Sequence, residues 1–263
     1  MISFSMFTIP QIVVMIVFVF LYGIVIGSFL NVCIFRIPLK EEVVKSRSHC
    51  MKCGHILKWY ELIPLFSWLI QGGKCRACKA KISKQYPIVE ALNGVLWVVI
   101  FVTSGFRWVT LIYMLATSCL IVISVIDERT KEIHMSTIYF LTALGLIRLA
   151  LDYPHWYNYV IGSLDVSLLF FLIILITKGR GMGGGDVHLM AAAGFILGWK
   201  ETILAMIIGC VLGSIIHIIR MKVSKKDHEL AFGPYLAMGI YLTFVFGQPI
   251  LDWYLGFFSK TPV

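Results

Sequence analysis

The chain has 263 residues, of which 59% are hydrophobic and only 14% charged. A soluble domain carries about 45–50% apolar and about 25% charged residues, so a water-soluble globule is excluded. The net charge of +9 would suit nucleic acid, but the basic residues sit in the gaps between apolar runs, where they orient a chain in a bilayer instead.

A helix needs about 20 apolar residues to cross a bilayer, or fewer when it is short or tilted. Such runs fall at 11–35, 88–103, 108–126, 136–151, 158–177, 187–199, 201–219 and 232–250, with 187–199 the short one. They predict an all-α polytopic membrane protein of about eight transmembrane helices, because an open sheet edge is forbidden in lipid. The first run continues past signal-peptide length into a charged segment, so no cleavable signal is expected. Three parts follow: a first transmembrane helix within 1–35, a polar insert over 36–87, and a helical bundle over 88–263. Eleven of the 23 Lys and Arg lie in 36–86, two in 129–131, two in 178–180 and four in 220–226. Arg107, Arg148, Lys200 and Lys260 fall on the other side of the alternation. Positive residues gather on the cytoplasmic side, so the insert and the loops near 130, 180 and 225 are expected in the cytoplasm and both termini outside. The basic excess also attracts anionic membrane lipid.

The insert holds Cys50-Met-Lys-Cys53 and Cys75-Arg-Ala-Cys78, with 21 residues between the pairs. Each CxxC turns two thiolates toward one metal, and two such turns complete a tetrahedral four-sulfur zinc site. Cytoplasmic disulfides are reduced, and so small an insert lacks a core, so a metal is the expected staple. Four thiolates leave no open position, which makes the zinc structural. A redox dithiol or free thiols is the alternative. His49 and His55 flank the first pair as substitute ligands or solvated neighbours. Cys33, Cys119 and Cys210 lie in apolar spans and read as small core residues.

Ionisable residues inside membrane segments are costly and so are functional candidates. Glu90 reads as a helix-start carboxylate favoured by the helix dipole. Asp165 suits a buried hydrogen bond as well as any active role. Asp127 and Asp186 both lie at cytoplasmic ends of spans, hence at one membrane depth, where bundle packing can join them. Two carboxylates that meet share a proton; the ionised one activates water and the protonated one polarises a carbonyl, which is peptide hydrolysis without a catalytic metal. Gly183, Gly184 and Gly185 let the backbone leave helical geometry and approach an extended peptide. The plainer alternative makes both acids interfacial caps or partners of Arg129 and Arg180.

Gly27-Ser28-Phe29-Leu30-Asn31-Val32 precedes Arg36-Ile37-Pro38 in the first span. The insert carries Arg47-Ser48-His49-Cys50, Trp59-Tyr60-Glu61-Leu62-Ile63-Pro64, Gly73-Lys74-Cys75-Arg76 and Tyr86-Pro87-Ile88-Val89-Glu90. Gly181-Met182-Gly183-Gly184-Gly185-Asp186 and Ala231-Phe232-Gly233-Pro234-Tyr235 follow. In this order the motifs resemble the bacterial type IV prepilin peptidases, and Gly183-Gly184-Gly185-Asp186 belongs to a GxGD motif like that of preflagellin peptidases and presenilin-type proteases. The resemblance covers most of the chain, and the insert is similar to the zinc-binding insert of long-form members. It implies that Asp127 and Asp186 are the catalytic pair and that the substrate is a prepilin or pseudopilin. The short basic leader would be cut at the cytoplasmic face of the bacterial inner membrane. Many long-form members also methylate the new N-terminus with S-adenosylmethionine. Two positions depart from the family pattern: His134 follows Ile133 where members usually have Pro, and His188 stands where they usually have Lys. An ion transporter, with His217 in a span, and a pilus-assembly scaffold remain alternatives of another class.

Overall fold

The structure is a computed structural model that describes residues 8–44, 47–179, 181–223 and 231–259. Nine α-helices appear among the described residues: α1 Ile9–Leu39, α2 Phe66–Ile70, α3 Gln85–Ser104, α4 Trp108–Thr130, α5 Met135–Leu151, α6 Trp156–Thr177, α7 Gly184–Leu197, α8 Trp199–Val223 and α9 Gly233–Ser259. Six helical segments are long and apolar enough to cross a membrane, and α5 and α7 are shorter apolar helices. Together they match the eight apolar runs, so the chain is a multi-pass, all-α membrane protein. Strands are absent from the described residues; two isolated antiparallel bridges, His49–Ile56 and Lys74–Lys81, occur in the insert. Arg180, Lys225, Lys226 and Lys260 lie outside the described residues.

Helix ends do not follow the apolar runs. α4 continues to Thr130, which puts Asp127 in its last turn, and α7 begins at Gly184, ahead of its run. The i to i−4 backbone ladder extends wherever residues can adopt helical angles, whatever their hydropathy. The boundary between the helices of the sixth and seventh apolar runs falls on Gly198, whose φ of +86° ends α7.

The chain forms two compact units, Met1–Val122 and Ile123–Val263. In the first, α1 and α3 approach through glycines: a Cβ on Gly23 would lie 2.7 Å from Gly94 Cα, and one on Gly27 would lie 2.7 Å from Glu90 Cα. Small residues let membrane helices pack backbone to backbone, and polar side chains then bridge them. Asn93 Nδ2 donates to the Gly23 carbonyl (2.7 Å), while Ser118 Oγ donates to Asn93 Oδ1 (2.8 Å) and receives Trp97 Nε1–H (3.0 Å). Glu90 is not a helix-start carboxylate. It is the sixth residue of α3, and its Oε2 accepts the Leu65 N–H at 2.8 Å, which ties the insert to the span. Of the three cysteines expected in the core, Cys119 is buried and Cys33 half-buried, but Cys210 is exposed on α8.

In the second unit α7 lies against α6. A Cβ on Gly194 would fall within the Gly162 carbonyl, and one on Gly162 would lie 2.6 Å from the Gly198 carbonyl carbon. Overpacking usually costs about 1–3 kcal/mol, and more when the obstacle is backbone that no rotamer change can clear. Gly194→Ala is therefore expected to lower unfolding stability by about 3 kcal/mol or more in denaturant titrations of the purified protein. Gly256→Ala, with nothing within 4 Å of the added carbon, serves as control.

Candidate functional site

Asp127 and Asp186 belong to the same unit and are both nearly buried, at 5% and 7% exposure. They lie within electrostatic reach of each other. Ile133, in the turn after α4, explains how. A Cβ on Gly185 would sit 2.9 Å from Ile133 Cβ, and a Cβ on Gly233 would sit 3.3 Å from Ile133 Cδ1 and 2.7 Å from Asp127 Oδ2. The ends of α4, α7 and α9 therefore meet around one isoleucine, because glycine at 185 and 233 lets two helix starts come this close.

The partners of the two acids differ. Asp127 Oδ2 accepts the Gly233 backbone N–H at 3.0 Å, the first residue of α9. That N–H is one of the orphan donors every helix start leaves, and the dipole there favours a negative charge. Lys131 and Glu128 are also within electrostatic reach of Asp127, and Glu128 pairs with Arg220 on α8 at 2.9 Å. The carboxyl of Asp186, in the first turn of α7, has the backbone amide of Gly183, the residue before the helix, as its hydrogen-bond partner. Gly233 lies within the Ala231–Tyr235 motif, but a backbone N–H donor leaves no mark in a motif.

The three glycines before Asp186 divide their roles. Only Gly183 leaves helical geometry (φ −79°, ψ 143°); Gly184 and Gly185 are already helical, contrary to the expectation for all three, and no positive φ is involved. Helical hydrogen bonding starts as soon as Gly183 has turned the chain. Gly185 is required by Ile133, while a Cβ on Gly184 meets nothing within 4 Å, so open space faces it beside the acids. Of the two departures from the family pattern, His188 is absorbed locally, whereas His134 leaves its Nδ1 buried without a hydrogen-bond partner among the described residues. His134 is the extended N-cap of α5, and its carbonyl accepts the Thr137 N–H (3.0 Å) and hydroxyl (2.6 Å). His188 is exposed, and its Nδ1–H donates to the Gly184 carbonyl at 2.7 Å, so it is held on its own helix.

The second candidate is the cysteine cluster of the first unit. Cys50, Cys53, Cys75 and Cys78 bring their sulfurs within 4.8 Å of one another, with Cys50 and Cys78 Sγ 3.9 Å apart. A tetrahedral zinc with Zn–S near 2.3 Å sets sulfurs about 3.8 Å apart, so the set fits the ion. The two turns share one hydrogen-bond pattern. Cys50 N–H donates to the His55 carbonyl and Gly54 N–H to the Cys50 carbonyl, just as Cys75 N–H donates to Ala80 and Lys79 N–H to Cys75. Gly54 (φ +69°) and Lys79 (φ +58°) fill equivalent left-handed positions. Backbone N–H groups of Lys52 and Cys53 pull the Cys50 pKa down to about 6. The His55 amide favours the Cys53 thiolate, but desolvation and the neighbouring Cys78, Cys50 and Cys75 carry Cys53 up to about 12. So dense a thiol cluster loses all its protons only to a cation, as metal ligands must.

Neither flanking histidine belongs to this cluster. His49 Nδ1 contacts the Arg47 carbonyl at 3.3 Å, and His55 Nε2 meets Glu61 at 3.2 Å. Glu61, buried, also accepts the Lys58 N–H at 2.9 Å and lies 3.8 Å from Arg76 Nε. It joins the first CxxC turn to the second, a role its place in a motif did not suggest. The Lys58 N–H first, then His55 and Arg76, hold its carboxyl below the usual range.

Two family models match the chain: the bacterial peptidase A24 N-terminal domain over residues 21–104 and the type IV leader peptidase family over residues 114–218. A prepilin leader peptidase/N-methyltransferase of Aeromonas salmonicida (strain A449) is 33% identical, covering 90% of this chain and 92% of its own. A protein of the same name from Bacillus subtilis (strain 168) is 32% identical over 90% of this chain and 96% of its own. One from Myxococcus xanthus is 31% identical over 80% of this chain and 64% of its own. No solved structure matches the chain.

Proposed function

We propose, since this chain belongs to the type IV leader peptidase family, that it removes the short basic leader of a prepilin or pseudopilin with Asp127 and Asp186 as its catalytic pair. The observation that carries this reading is the meeting of two carboxylates from separate helices, within electrostatic reach and beside open space at Gly184. Asp127, whose Oδ2 already accepts a backbone N–H, acts as the base. It takes a proton from water as the water oxygen bonds to the scissile carbonyl carbon, and Asp186 gives its proton to the carbonyl oxygen. The tetrahedral species then breaks its C–N bond as the nitrogen takes a proton from Asp127. The acid product returns the hydroxyl proton to Asp186. Gly183 and Gly184 offer backbone to the extended substrate. The positive-inside distribution of Lys and Arg supports the cytoplasmic face of a membrane, in this reading the bacterial inner membrane, as the site of this chemistry.

The four cysteines would hold structural zinc, which supplies folding energy to the insert and no chemistry. The relatives' printed names support a second step, transfer of a methyl from the S-adenosylmethionine sulfonium to the new N-terminal amine, with release of a proton. Among the described residues no glycine-rich nucleotide loop is present, and this half of the reading rests on those names alone.

The test co-expresses the chain with a prepilin from the same genome and follows precursor size on a gel, with mass spectrometry of the processed N-terminus. A leader lost only when wild-type protein is present supports the peptidase. A precursor unchanged despite confirmed expression overturns it, and an unmodified N-terminus with the cofactor supplied overturns methylation. Gly233→Ala gives a sharper check, because its Cβ would lie 2.7 Å from Asp127 Oδ2. Displacement of a catalytic group by about 1 Å costs about 100-fold in rate. The loss is expected in kcat with KM little changed, since Gly233 acts through Asp127.

A further inference from the structure

Eleven basic and three acidic residues lie in 36–86, a net charge of +8 out of +9 for the whole chain. On this polar insert a run of large apolar side chains is turned outward: Trp59, Leu62, Ile63, Phe66, Leu69 and Ile70. The last four exceed or approach half exposure, with Ile70 at 77%, and Trp59 is at 78%. Trp68 behaves differently within the same helix: its ring lies against Gly73 and its Nε1–H donates to the Ile82 carbonyl at 3.5 Å. α2 thus turns one aromatic ring toward the insert and leaves its other large side chains uncovered.

The height of this run relative to the bilayer is set by one hydrogen bond. The Leu65 N–H donates to Glu90 Oε2 at 2.8 Å. Glu90 is five residues inside α3, about 7–8 Å along the axis from its first residue. The apolar run is therefore pinned beside the entrance of a membrane span. Ile88, on the turn of α3 beside it in sequence, is 60% exposed, so the apolar surface of the span begins at this level. Beside the run Lys58, Lys74, Lys81 and Lys84 are all exposed.

Apolar side chains at this depth, a tryptophan and a ring of lysines are the composition of a segment lying in the interface. We propose that Trp59 and Leu62–Ile70 form a foot seated in the headgroup layer of the membrane that α1 and α3 cross, with Lys58, Lys74, Lys81 and Lys84 on anionic lipid phosphates. The foot fixes the zinc-binding turns at a set height over the bilayer. It depends on the membrane placement of α1 and α3 and is independent of the peptidase reading.

The test puts a photo-reactive benzoylphenylalanine at position 70 of the full-length, metal-loaded protein in nanodiscs of equal phosphatidylglycerol and phosphatidylcholine. Irradiation and intact mass then identify what lies against it. The expected product is a lipid adduct, with phosphatidylglycerol over-represented about fivefold, the effect of one surface lysine at about 1 kcal/mol. The same probe at position 79, beside the second CxxC turn, is expected to give far less lipid adduct. Adducts to a second copy of the chain or to a co-reconstituted prepilin in place of lipid overturn the foot. So does equal lipid labelling at 70 and 79. Adducts in bilayer proportion overturn the role of the lysines.

Discussion

Asp186→Asn is expected to abolish detectable leader cleavage while the protein still folds and inserts. Asparagine has nearly the same shape, so the packing of α7 against α6 stays intact, but its amide cannot pass a proton to the scissile carbonyl. A positioned acid or base contributes about 10²–10⁴-fold, and members of one catalytic unit fail together, so losses of about 10⁴-fold or more are expected. Asp127→Asn should do the same, and its retained oxygen still accepts the Gly233 N–H. Stability separates catalysis from structure. The two buried carboxyls share one proton and each is costly to desolvate, so a neutral amide at either position should leave thermal stability unchanged or raised. A purely structural cap would instead lose about 0.5–2 kcal/mol. Asp165→Asn, a membrane carboxylate outside the pair, is expected to cleave normally. Substantial cleavage by the Asp186→Asn protein would sink the mechanism, and the transporter and scaffold readings would then rise.

Metal removal is expected to unfold the insert and leave the second unit folded. Over 47–84 only Glu61, Gly73 and Cys75 are buried, so no apolar core opposes the conformational entropy of the segment. A structural zinc site supplies about 10–16 kcal/mol at neutral pH, far above anything else this segment holds. Cys75→Ser should therefore give a chain without stoichiometric zinc by elemental analysis. Protease should then cut rapidly within 47–84, and Glu90 should lose the Leu65 donor. An insert that stays protease-resistant without metal would show that Glu61 and its partners suffice, and would remove the reason for a metal.

Much of this protein was legible without a structure, for local physical reasons. Hydropathy is summed over neighbours, so each of the eight apolar helices announced itself, and two CxxC pairs declared a ligand set through spacing alone. The aspartate pair was approachable because charge in lipid is costly enough to mark a residue wherever it stands. The details at chain breaks were harder. Gly184 and Gly185 join α7 because helix ends obey backbone geometry, and hydropathy carries no record of it.

Local sequence determined the helices, the membrane class and the thiol cluster, since each depends on residues within a turn or on one repeated spacing. The tertiary structure alone decided which groups face one another. Gly233 is 106 residues from the carboxylate it binds, and Leu65 is 25 from Glu90. Glu61 spans two turns that share no period with it. A backbone N–H donor has no letter in the sequence: every residue but proline carries one. Where the chain returns after a hundred residues is set by glycine contacts and packing summed over the whole bundle. The site is therefore announced by its aspartates and completed by donors that only the fold could choose.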